Sequence, residues 1–140
     1  MIKAIIDTNV ILDIALNREP FFEYSSQIFD RIDDQILEGY ITASSVTDIY
    51  YIASKQKDKS HARKFLISLI QILEVIGIDK DIVIQALECD LPDFEDAIQV
   101  FSAKSNSIDL IITRNKADYE NSGMKILDPQ EFIQSLDIPH

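Results

Sequence analysis

A chain of 140 residues, 46% of them apolar and with only three glycines and four prolines, has the material for one packed core and excludes a disordered or fibrous protein. Its formal net charge of −11, from 13 Lys and Arg against 24 Asp and Glu, argues against binding nucleic acid through a broad basic surface. The lone Cys89 cannot form an internal disulfide, and no run of 18 apolar residues exists to span a membrane, so a cytoplasmic protein is expected.

The opening Ile2-Lys3-Ala4-Ile5-Ile6 is a short, mostly apolar run of strand character, and it meets Asp7 too soon to be the apolar core of a signal peptide. Asp7, Thr8 and Asn9 each suit the cap of a helix carrying Val10, Ile11, Ile14 and Ala15. After a break at 17–20, helical spacing runs from Phe21 to Leu37, and Gly39 then interrupts before a short strand at Tyr40-Ile41-Thr42. Ser44 or Ser45 is expected to open a helix through Val46, Ile49 and Ala53. The polar stretch 55–60 reads as a linker, and a helix with Phe65, Leu66 and Leu69 follows. Residues 73–78 predict a third strand despite Gly77, and Asp79 starts the next helix.

Asp90-Leu91-Pro92 is a turn, with Asp93 placed to cap a helix through Ala97, Val100 and Ala103. Leu110–Ile112 and Lys125–Leu127 are the fourth and fifth strands, and Pro129 opens a last helix. Strands alternating with helices predict a single α/β domain over 1–140, its parallel sheet covered on both faces. Sites in such sheets lie beyond the carboxyl ends of the strands, which draws attention to Asp7 and to Thr113-Arg114-Asn115.

The acidic residues carry the chemistry. Asp7 fits either a ligand for a hard divalent cation or a helix cap. Asp93 and Asp96, three apart, share a helix face near its N-terminus, while Glu95 is expected to point elsewhere, solvated or supporting. Asp48 lies in the first turns of its helix and suits either a metal site or a capping box with Ser45. Asn115 and Asp118 both offer oxygen after the fourth strand, and composition does not choose between them. A divalent ion among such groups lowers the pKa of a bound water and neutralises phosphoryl charge, so no side-chain nucleophile is needed. That suits a chain without a persuasive Ser-His-Asp or Cys-His arrangement, whose histidines, His61 and His140, sit in a polar helix start and at the C-terminus.

Three segments together resemble a PIN domain of the kind found in VapC-like toxins of toxin–antitoxin systems. They are Ile5-Ile6-Asp7-Thr8-Asn9-Val10-Ile11-Leu12-Asp13, Leu91-Pro92-Asp93-Phe94-Glu95-Asp96-Ala97 and Ile112-Thr113-Arg114-Asn115-Lys116-Ala117-Asp118-Tyr119. The resemblance spans nearly the whole chain in the expected order. It implies a three-layer α/β/α sandwich with four or five parallel strands in the order 3-2-1-4-5. It also implies Mg²⁺ or Mn²⁺ held by acidic residues, and endonucleolytic cleavage of single-stranded or structured RNA.

On that pattern Asp7 is the first acid and Asp96 the third. Asp48 stands where the family usually has Glu, and the fourth acid falls at Asn115, with Asp118 as its substitute. Asp93 supports the metal; Thr8, Ser44, Arg114 and Lys116 are assigned to water or phosphate, and Arg18 also lies in a segment that can border the site. A cognate antitoxin that inserts a basic side chain into the acidic pocket, and a homodimer, are the partners implied. The competing reading is a noncatalytic PIN-like module that binds nucleic acid or protein, which the departures at Asp48 and Asn115 keep open. A receiver or phosphatase domain fits less well, because only Asp7 follows the first strand.

Overall fold

The computed structural model describes residues 1–137. Five parallel strands form one sheet, as the alternation of strands and helices predicts, in the order β3-β2-β1-β4-β5 that the resemblance implies. They are β1 (Ile2–Ile6), β2 (Leu37–Thr42), β3 (Glu74–Ile76), β4 (Leu110–Ile112) and β5 (Lys125–Leu127). The helices are α1 (Thr8–Ala15), α2 (Phe22–Asp33), α3 (Ala43–Gln56), α4 (Lys59–Ile72), α5 (Lys80–Glu88), α6 (Phe94–Ser105) and α7 (Pro129–Leu136), with a 3₁₀ turn at Lys116–Tyr119.

β1 is central because its last residues bury both faces. Ala4 and Ile6 join Leu110, Ile112, Ile28 and Phe132 in one cluster, while Ile5 and Ile111 join Val100, Ala103 and Tyr119 in another. Side chains alternate across a strand, so three consecutive apolar residues serve two helical layers. A third, smaller cluster holds α5 against α6 through Ile82, Ala86, Ala97 and Ile98.

Three boundaries differ from the sequence reading. The helix expected to reach Leu37 ends at Asp33; Gln35 turns through φ 61°, the Ile36 amide donates to the Arg31 carbonyl, and Leu37 begins β2. Ile28, Ile32 and Ile36 keep a helical period beyond the helix because Ile36 falls in the turn that follows. Gly39 lies inside β2 instead of interrupting it. A Cβ there would stand 2.5 Å from Leu73 Cδ2 and 2.8 Å from Ile32 Cδ1, so glycine lets α2 approach the strand. Lastly, the supposed linker 55–60 is only Lys57 and Asp58; α3 runs to Gln56, and Asp58 caps α4 by accepting from the His61 amide.

Candidate active site

The sheet delivers Asp7 to the carboxyl end of its central strand. The Asp7 amide still donates to the Ile112 carbonyl at 2.9 Å, extending the β1–β4 ladder by one bond before the chain turns into α1. Its side chain does cap that helix, accepting from the Thr8 amide at 2.7 Å. The cap is one bond among five. Oδ1 also accepts from Gln99 Nε2, and Oδ2 accepts from Thr113 Oγ1 at 2.7 Å, Tyr119 OH at 3.0 Å and Asn9 Nδ2 at 3.3 Å. These neutral donors fix the orientation of the carboxylate, and none of them neutralises its charge.

Asp96 arrives from α6, whose N-terminus Asp93 caps by accepting from the Asp96 amide at 3.0 Å. The Tyr119 hydroxyl lies between the two acids, 3.0 Å from Asp7 Oδ2 and 3.1 Å from Asp96 Oδ1, and it accepts from Gln99 Nε2. Burial first, and then the charges of Asp93 and Asp7, push the Asp96 carboxyl up to about 7. Burial first, and then the charges of Asp7 and Asp96, hold the Tyr119 phenol far above its ordinary range, so it serves as a neutral donor.

Around this pair opens a cleft of about 480 Å³, lined by Asp7, Asp48, Asp93, Glu95, Asp96, Asp118, Ser44 and Asn115 among others. Arg18 is the one cation on its wall among the described residues. Glu95 does not point away: it lines the cleft with Asp48, and desolvation first and then the charge of Asp48 raise its pKa. Of the two readings open for Asp48, the capping box with Ser45 is absent. Thr42 caps α3, accepting from the Ser45 amide, which leaves Asp48 free for the cleft.

Thr8 donates its hydroxyl to Ser45 Oγ at 2.9 Å, and Thr42 Oγ1 also lies 3.1 Å from Ser45 Oγ and 3.2 Å from Ser44 Oγ. This chain of hydroxyls ties the start of α1 to the start of α3. Arg114 and Lys116, assigned to phosphate by sequence, do not line the cleft. The Arg114 guanidinium takes both oxygens of Asp13, at 2.7 and 3.0 Å, because that carboxylate is fully buried and needs a cation. Lys116 is paired with Glu131 at 2.8 Å. His61 is exposed on α4, and His140 lies outside the described residues.

Sequence reasoning passed over Gln99, Thr113 and Tyr119. Gln99 had a signal, since it sits three residues after Asp96 on the same helix face. So did Thr113, at the end of the strand beside β1. Tyr119 stood in the late motif with no role attached to it.

The donor set is oxygen throughout, which favours a hard cation. No three acidic, histidine or cysteine side chains among the described residues are grouped closely enough to cage an ion unaided. A hard divalent cation held here would keep several of its waters and take one or two carboxylates from the protein.

A family model for the PIN domain matches residues 3–117. This chain belongs to the PIN domain family. Within it, ribonuclease VapC1 of Aquifex aeolicus (strain VF5) is 29% identical over 137 residues, covering 94% of each chain. Among solved structures, the PIN chain resembles DNA-bound VapBC from Salmonella typhimurium with a TM-score of 0.71 and 19% identity, covering 92% of this chain and 99% of that one. It also resembles VapC20 of Mycobacterium tuberculosis, described as a sarcin–ricin loop cleaving toxin, with a TM-score of 0.67 and 10% identity over 87% and 98% of the two chains. These two likenesses concern the fold: the five-stranded sheet and its helical layers are those of VapC structures. Among the described residues, no helix is long and apolar enough to cross a membrane.

Proposed function

We propose that this PIN domain is a metal-dependent endoribonuclease that hydrolyses phosphodiester bonds of single-stranded RNA, as the toxin of a toxin–antitoxin pair. The observation that carries the reading is the Asp7–Tyr119–Asp96 arrangement beside a cleft rich in carboxylates. Two carboxylates sharing one hydroxyl, with Asp93, Glu95 and Asp48 close by, form a cluster whose repulsion a divalent cation would relieve. The named ribonuclease relative supports a nuclease, and the toxin-complex neighbours support an antitoxin as partner.

Asp7 and Asp96 would hold Mg²⁺ or Mn²⁺, with Asp93 supporting and Asp118 and Asn115 also lining the cleft. When bound, the ion supplies Lewis-acid chemistry: an acidified water and neutralisation of charge on the phosphoryl oxygens. The chain's own residues do the rest. Gln99, Thr113 and Tyr119 hold Asp7 in one orientation, and Tyr119 sets its distance to Asp96. Asp48, one methylene shorter than the usual Glu, is supplemented by Glu95 in the same cleft. In-line attack of water at phosphorus then leaves a 5′-phosphate and a 3′-hydroxyl. An antitoxin that places a basic side chain in this cleft would occupy the cation's position. A homodimer and a cytoplasmic setting complete the reading.

The test is cleavage of single-stranded RNA in Mg²⁺ or Mn²⁺ by the wild-type protein and by D7N and D96N. Loss of either acid is expected to cost more than the roughly 10- to 100-fold typical of residues that only support a metal site, with folding retained. Cleavage that survives saturating EDTA, or a fully active D7N, overturns the mechanism. A folded protein with no metal-dependent cleavage is the noncatalytic binding module.

A further inference from the structure

A second hollow, of about 350 Å³, is walled by Phe21, Tyr24, Ser25, Arg114, Asp128 and Gln130. Arg114 joins it to the acidic cleft: its amide donates to Asn9 Oδ1 on the cleft wall, while its guanidinium forms part of the hollow. Arg18, also on the cleft wall, lies 4.0 Å from the same Asp13 that Arg114 grips. Two guanidiniums thus share one buried carboxylate between the two openings. In a chain of net charge −11, that is a local exception.

The hollow's lining is chemically specific. Phe21 is 39% exposed and already carries the Arg114 guanidinium 3.8 Å from its ring centroid. Tyr24 stands three residues on, one helical turn along the same face. Ser25 is fully buried, and its Oγ finds no hydrogen-bond partner among the described residues. Asp128 and Gln130 add an acceptor and an amide at the margin.

We propose that this hollow receives an unpaired base of the RNA, next to the phosphate held in the cleft; the inference rests on the endoribonuclease reading. Single-stranded RNA is recognised by stacking bases on aromatic rings and guanidinium planes, with hydrogen bonds to the base edges. Phe21, Tyr24 and Arg114 supply the planes, and Asp128 and Gln130 the edge contacts. The two guanidiniums between the openings draw the connecting phosphate past a cleft that would otherwise repel it. The volume lies near the lower end of the roughly 300–1,000 Å³ of small-ligand pockets, a size for a ring and not for a docked helix.

The test is the affinity of a short fluorescein-labelled single-stranded RNA for the cleavage-silenced D96N protein, with and without F21A, read by anisotropy in Mg²⁺. F21A is expected to weaken binding by roughly 5- to 100-fold, the range for losing one stacked base. F21Y, which keeps the ring, should restore it. The penalty should vanish when an abasic nucleotide, stepped along the strand, reaches the position that fills the hollow. Thermal unfolding of each variant checks that the partly exposed cap residue has not altered the fold. Unchanged affinity in F21A, as expected if a protein partner uses the hollow, overturns the proposal. So does a penalty that persists at every abasic position. Should the wild-type protein cut no RNA while the F21A penalty stands, the nuclease reading falls and the base site remains.

Discussion

Asp7 and Asp13 lie six residues apart on one stretch of chain, both buried, at 6% and 0% exposure, and they are treated in opposite ways. Asp13 receives cations: Arg114 in a two-point grip, and Arg18 at the edge of range. Asp7 receives only neutral donors, and its charged neighbours are other acids. An acid that the fold has neutralised belongs to the architecture. One surrounded by neutral donors and like charges has been left for a cation from outside.

The comparison breaks first at Asp13. D13A should destabilise the protein by about 3 kcal/mol, the low end for breaking a buried ion pair because both arginines keep access to water. Urea unfolding measures this, and a D13A protein as stable as wild type would mean that the ion pair contributes nothing to the fold. D7N in the same assay, without metal, should cost less, because it removes no paired charge.

Tyr119 tests the other side of the comparison. Y119F leaves every charge in place and removes only the hydroxyl between the acids, so Mg²⁺ affinity should fall about 10-fold, as for other residues that orient metal ligands. Calorimetric titration reads this directly, and an unchanged affinity would show that the hydroxyl holds nothing the ion requires.

A further prediction concerns pH dependence. Asp96 is raised from 3.8 to about 7 in the folded, metal-free protein. Between those values the folded state binds more protons than the unfolded one, so this group's contribution to stability is present at low pH and is lost as pH rises through about 7. Urea midpoints without metal should therefore drift down from about pH 4 to pH 7 in wild type and do so less in D96N. Equal slopes would remove Asp96 as the source.

What the sequence made legible followed local rules. Asp7 could be found because a strand of a parallel sheet ended at it, and Asp93 because it stands three residues before Asp96 at a helix start. The strand order came through resemblance and the five apolar runs. Glu95 could not be placed, since a helical face says nothing about which neighbour approaches it; Asp48 comes from α3, 47 residues earlier. The geometry of Arg114 was hidden for the same reason: its charge was visible, but its partner Asp13, which holds the guanidinium at the neighbouring hollow and not in the acidic cleft, lies 101 residues away. Thr42 won the cap from Ser45 because the strand ended one residue before the helix began.

Gly39 ties three positions into one variable. Its missing side chain is the space filled by the ends of Leu73 and Ile32, which come from the entry to β3 and from α2. Residue 39 therefore cannot drift alone. Among diverged relatives, an alanine or serine at this position should appear together with a shorter residue at 32 or 73, so that these three sites carry a correlated substitution record while the acids of the cleft vary independently of them.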